Sequence, residues 1–153
     1  MSKELINLYT ATIQDIRKVI HKNYEKIELI DSNSGDFLFI TKPIHSSDGL
    51  TLSLQRGNIN SIFLRRVFKY EYQSKNQLSS IFKKKEGTFL EKINELNYKM
   101  TLAKIFYVKG FGIAVESSMP CRGEISRGHF HAFIDEFEEE STAASIEFFG
   151  CGI

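Results

Sequence analysis

Few side chains in this 153-residue chain can act as nucleophiles, bases or metal ligands: two cysteines, four histidines and a set of carboxylates gathered toward the C-terminal end. A metal centre needs ligands that converge. His129 and His131 are two apart, so on a helix they point about 200° from each other and cannot share an ion, while His21 and His45 fall in other elements. Cys121 has Arg122 beside it and a helix start just downstream, the setting that lowers a thiol pKa, yet the plainer reading is a partly buried or incidental thiol. Cys121 and Cys151 are too few and too far apart for a disulfide framework or a zinc knuckle. Glu138 and Glu139 are neighbours on a solvated helix face, with nothing to set them across a cleft as paired acid and base. "KGFG" (109–112) lacks the length and the Lys-Ser/Thr ending of a phosphate loop, and "RGNIN" (56–60) is a turn. The expectation is a protein that is no enzyme and uses no cofactor and no metal.

Charge is the next source of chemistry. The formal net charge is +1, but residues 56–109 hold twelve Lys/Arg against four Asp/Glu, and residues 110–153 hold two against eight. A basic middle and an acidic end can pair within the chain, between subunits, or with a partner of mixed charge. In the middle, Arg65, Arg66 and Lys69 interleave with Phe68, Tyr70 and Tyr72, as on a sheet surface that stacks aromatic groups or pairs with carboxylates. These six residues are the candidate partner-binding surface.

The elements that must position them follow from periodicity. Thr12 and Asp15 resemble a capping box ahead of Ile13, Ile16, Ile20 and Tyr24, a one-sided stripe; Leu5 and Tyr9 continue it upstream, so the first helix starts near Lys3 or near Thr12. "KIELID", "DFLFITKPI" and the strictly alternating "LTLSLQ" read as strands. "SIFLRRVFKYEY" reads as one strand or two, bent near Arg65, and the polar stretch 73–87 as a connection with a helical turn around Leu78–Phe82. Thr88 with Glu91 matches a second capping box, and Phe89, Ile93, Leu96 and Met100 recur at helical spacing. The period then switches to two: Leu102, Lys104, Phe106 and Val108 face one way and Ala103, Ile105 and Tyr107 the other, with "KGFG" closing a hairpin to "IAVESSM". A last helix starts near Ser126, burying Phe130, Phe133, Ile134 and Phe137 and leaving Asp135, Glu136, Glu138, Glu139 and Glu140 outside; "ASIEFFGCGI" is a short strand or an apolar tuck.

The order α-β-β-β-(β)-α-β-β-α predicts one α+β domain over 1–153, with a single antiparallel sheet packed by amphipathic helices. Its predicted core includes Phe89, Ile93, Leu96, Phe106, Ile113, Val115, Phe130, Phe133 and Phe137. Neither a signal peptide nor an apolar run of about 20 residues is present, which reads as a soluble cytoplasmic protein with reduced thiols and no membrane partner.

The segment "INELNYKMTLAKIFYVKGFGIAVESSMPCRGEISRGHFHAFIDEF", Ile93 to Phe137, resembles the YbjN family of small bacterial proteins, matching at Asn94, Asn97, Tyr107, Gly112, Val115, Glu116 and Gly123. The resemblance implies a type III secretion chaperone-like fold and a sensory, regulatory or chaperone-like role. Chaperones of that fold dimerise and wrap extended clients. With the surplus of Phe and Tyr, 13 and 6, this gives the expectation of a homodimer that binds a protein client or regulator. The alternatives are a nucleic-acid-binding regulator using the basic Arg56–Lys85 region and an immunity- or antitoxin-like protein.

Overall fold

The computed structural model describes residues 5–20, 26–31, 37–41, 50–55, 60–68, 79–108 and 112–149, with the backbone alone at Lys26, Phe39, Thr41 and Phe149 and over 79–88. Its first element is a strand, β1 (Leu5–Asn7), not an extension of the first helix. Asn7 ends it: its side-chain Oδ1 accepts the Tyr9 N–H at 3.0 Å and its carbonyl accepts the Ala11 N–H at 2.9 Å, so the chain turns before a helix can form. Leu5 and Tyr9, predicted on the buried stripe, are 55 % and 68 % exposed. Helix α1 (Ile13–Ile20) starts at the Thr12–Asp15 capping box. The Thr12 N–H donates to Asp15 Oδ2 at 2.9 Å and the Asp15 N–H to Thr12 Oγ1 at 3.2 Å. Ile16 and Ile20 are fully buried beneath it.

Strands β2 (Lys26–Ile30), β3 (Phe37–Thr41), β4 (Leu50–Gln55) and β5 (Ser61–Phe68) form an antiparallel meander. Helix α2 (Ser79–Lys99) follows, then the hairpin β6 (Lys104–Val108) and β7 (Gly112–Pro120), the short strand β8 (Glu124–Ser126) and helix α3 (Arg127–Phe149). The hairpin inserts β7 beside β5, so the six-stranded sheet reads β2-β3-β4-β5-β7-β6, with eight residue pairs along the β5–β7 seam. Gly112 opens β7 at φ +123° and Gly123 turns the chain toward β8 at φ +69°, values that L side chains rarely adopt.

Three expectations are corrected. Among the described residues there are two antiparallel sheets, not one: β1 and β8 pair only with each other, and segments of three residues are too short to display alternation. Thr88 does not begin α2, which runs unbroken from Ser79; the helix propensity of the lysine-rich turn outweighs the ~1 kcal/mol cost of Gly87. Residues Ala144–Phe149 belong to α3; residues 69–72, 109–111 and 150–153, on which other expectations fell, lie outside the described residues.

The inner face of the sheet carries Ile27, Leu38, Ile40, Leu50, Leu52, Ile62, Leu64, Phe68, Ile113, Val115 and Ile105, all buried under the helices. Phe130, Ile134 and Phe137 of α3 and Ile93 and Leu96 of α2 close the core from the other side, and Phe133 is buried with them. Phe106, predicted in this core, is instead 47 % exposed. Alternation in β6 fixes two faces without saying which is inside, and Lys104 shares the face of Phe106, so the strand turns Ala103 and Ile105 inward.

Candidate functional site

With the helices on one side, no described element covers the other face of the six-stranded sheet. Its residues line up in rows across the strands. One row runs Glu28, Phe39, Thr51, Arg65, Glu116, Lys104 through all six strands, and the next Ile30, Phe37, Ser53, Phe63, Ser118. On the other side of the charged row, Val67, Ala114 and Phe106 lie side by side, with Val108 beyond. Ala114 is a buried floor between flanking side chains, whereas Val67, Phe106 and Val108 are 42 %, 47 % and 40 % exposed. Neighbouring apolar side chains on an uncovered sheet face are a feature that folding alone does not demand.

The charged row divides this patch from the aromatic one around Phe63. Arg65 binds Glu116 through two nitrogens, Nε at 2.7 Å and Nη2 at 2.5 Å, and its guanidinium lies 5.3 Å from the Phe63 ring centre. Lys104 donates its ammonium to the Asn97 and Met100 carbonyls at 3.1 and 3.3 Å, neutralising the C-terminal end of α2. Arg65 and Lys104 are thus already engaged by the chain's own acceptors.

Of the six residues singled out in the sequence, the three described ones do not share this face. Arg65 is on it. Arg66 points inward, its Nη1 donating to Ser141 Oγ at 3.3 Å and Thr142 Oγ1 at 3.1 Å of α3, with its guanidinium over the Phe68 ring. Phe68 is a core residue at 3 % exposure and offers no anchor to a partner. Lys69, Tyr70 and Tyr72 lie outside the described residues. Adjacent strand residues point to opposite faces, so the run Arg65–Arg66–Val67–Phe68 had to be split two and two. The residues the sequence reading missed, Val67, Phe106 and Val108, are legible only once the inward face of β6 is known.

One edge of the sheet is obstructed at Ile105. Asn97 of α2 sets its side-chain amide against β6, donating to the Ile105 carbonyl at 3.0 Å and accepting the Ile105 N–H at 2.7 Å. It stands where an added strand would pair, which blunts the edge. Nearby, Glu140 of α3 is not a solvated acid as predicted. Its carboxylate accepts the successive N–H groups of Thr101, Leu102 and Ala103 at 2.6 to 3.1 Å, filling the anion-binding nest of the α2–β6 turn from within the chain.

A separate open groove of about 410 Å³ lies where β1 and α1 meet the start of α3, lined by Leu5, Ala11, Asp15, Lys18, Val19 and Arg127 among others. Arg127 spans it, donating to the Val19 carbonyl at 2.8 Å. Asp15 is engaged in the α1 cap, and the Thr12 hydrogen bonds hold its carboxyl below the usual aspartate range. His131 neighbours Arg127 and Val19, two residues of the groove's lining. Burial, then the nearby Arg127 charge, push its pKa down, against the opposing pull of Asp135 and the Val19 carbonyl. Cys121 is buried at the end of β7, where its N–H continues the ladder to the Asn60 carbonyl at 2.7 Å. Among the described residues, no three His, Cys, Asp or Glu side chains gather as for a metal ion, and no helix is long and apolar enough to cross a membrane. Compared with known proteins, the chain matches no family model and no curated protein.

Proposed function

We propose that this chain is a non-enzymatic, chaperone-like or regulatory protein-binding module that receives a polypeptide on the open face of its six-stranded sheet. The observation that carries the reading is the cluster of Val67, Phe106 and Val108 around the Ala114 floor, left exposed beside the Arg65–Glu116 pair. Exposed apolar side chains beside an ordered ion pair suit a protein-docking patch. Among the described residues, the engagement of Arg65 and Lys104 by Glu116 and α2 favours this over a nucleic-acid surface, which requires cations available to phosphates. A YbjN-like domain of the type III secretion chaperone kind, acting in the cytoplasm, is the finer form of the proposal. It rests on the sequence resemblance, among whose matched positions Asn97, Gly112 and Gly123 have structural tasks here.

The test is affinity capture from native extract, with and without nuclease, comparing the wild-type chain with Phe106→Glu and Val67→Glu. The expected result is a defined polypeptide, resistant to about 0.5 M salt, that both variants lose. Recovery of nucleic acid alone, or capture indifferent to both substitutions, overturns the reading.

A further inference from the structure

The open face is patterned as its own complement. Along the β5–β7 seam three consecutive rows set a large or basic side chain on β5 beside a small or acidic one on β7: Phe63 beside Ser118, Arg65 beside Glu116, Val67 beside Ala114; at the end of the seam Ser61 beside Pro120 reverses the sizes. A second copy can meet such a face about a twofold axis lying between the two sheets, and the axis has two simple orientations. Across the strands at the level of the charged row, it stacks Arg65 on Arg65 and Glu116 on Glu116. Along the strands, midway between β5 and β7, it lays β5 of each copy over β7 of the other. Arg65 then faces the partner's Glu116, Val67 faces the partner's Ala114, and Phe63 faces the partner's Ser118. Only the second orientation puts opposite charges together and large side chains over small ones, as interdigitating sheet faces about 10 Å apart require.

We infer that the polypeptide received on the open face is a second copy of this chain, in an isologous sheet-on-sheet dimer whose axis runs along the β5–β7 seam. The inference rests on the reading of that face as a protein-docking surface. The edge of β6 offers no competing route at Ile105, because the Asn97 amide already holds both of that residue's backbone groups. Six strands of about five residues make a face of roughly 24 by 17 Å, about 400 Å² in projection. That is smaller than the ~800 Å² each partner gives to a standard interface, so the dimer forms reversibly, with dissociation in the micromolar range.

The test is sedimentation equilibrium from about 1 to 500 μM, a span that brackets such an affinity. The wild-type chain should rise toward twice its 17.6 kDa mass. Arg65→Glu makes the seam charges both acidic and Glu116→Arg makes them both basic, so each variant alone should stay monomeric. Their equimolar mixture should recover the dimer mass, a recovery that misfolded variants would not give. A wild-type chain that is monomeric throughout, single variants that still dimerise, or a mixture that stays monomeric overturns the inference. A monomeric wild type whose capture of another polypeptide is abolished by Phe106→Glu removes this dimer and leaves the docking surface standing; loss of both results removes both.

Discussion

Glu140 shows how one side chain's task escapes the sequence. In the run Glu138–Glu139–Glu140 each acid looks like part of a solvated face, yet Glu140 satisfies three successive backbone N–H groups of the α2–β6 turn. A hydrogen bond to a charged group contributes about 1.5–3 kcal/mol, and orphaned donors add their own penalty. Glu140→Ala should therefore lower unfolding stability in urea by about 2–4 kcal/mol, whereas Glu139→Ala, an exposed neighbour, should stay within about 0.5 kcal/mol. Equal effects would mean that the nest does not matter to the fold. The Thr12–Asp15 cap, by contrast, was legible, because both partners lie within three residues. Glu140 reaches back 37 to 39 positions, and no local spacing announces that.

Among the elements, the helices and longer strands were readable because their periods repeat: α1 from Ile13, β4 over Leu50–Gln55 and the core stripe of α3. The three-residue strands β1 and β8 carry no repeat, and α2 hid its first half in a lysine-rich stretch without an apolar stripe. The contact of α1 with α3 adds a dependence on pH. His131 is held to a lowered pKa chiefly by burial, so the folded chain takes up its proton at lower pH than the unfolded chain does. Stability from this group is full above the ordinary histidine pKa of about 6.5 and falls as pH drops from there toward the folded value, because the unfolded state then binds more protons. Unfolding midpoints measured between pH 7.5 and 5 should decline, and His131→Gln should flatten part of that slope. An unchanged slope would remove His131 from the account.

At the scale of the whole molecule, the basic middle and the acidic end meet partly within the chain. Arg65 holds Glu116, and the Lys92 ammonium reaches Glu147 and lies over the Phe148 ring. What the sequence could not decide was which side of the sheet the helices take, and that choice separates core from candidate surface. Two phenylalanines read it out. Phe137 is fully buried, and Phe137→Ala should cost about 3–5 kcal/mol. Phe106 is on the open side, and Phe106→Ala should change monomer stability by no more than about 1 kcal/mol, the span of strand propensity. Matching losses in both variants would place Phe106 in the core after all and close the face on which the dimer depends. Of the residues chosen from the basic stretch, the described ones part company because a strand divides its neighbours between faces, sending Arg65 outward and Phe68 inward.

The β5–β7 seam also bears on how the chain is born. The β2–β5 meander is complete before α2, β6 and β7 have been synthesised, yet β5 must wait for β7, with 44 residues intervening between Phe68 and its partner Ile113. During that interval β5 is an unpaired edge rich in isoleucine, leucine and phenylalanine, the kind of template that recruits stray strands. Closing the long loop, rather than forming any one hairpin, is the expected slow step of folding. The arginines at 65 and 66 sit in the middle of that edge, where their like charges discourage nascent chains from pairing before β7 arrives.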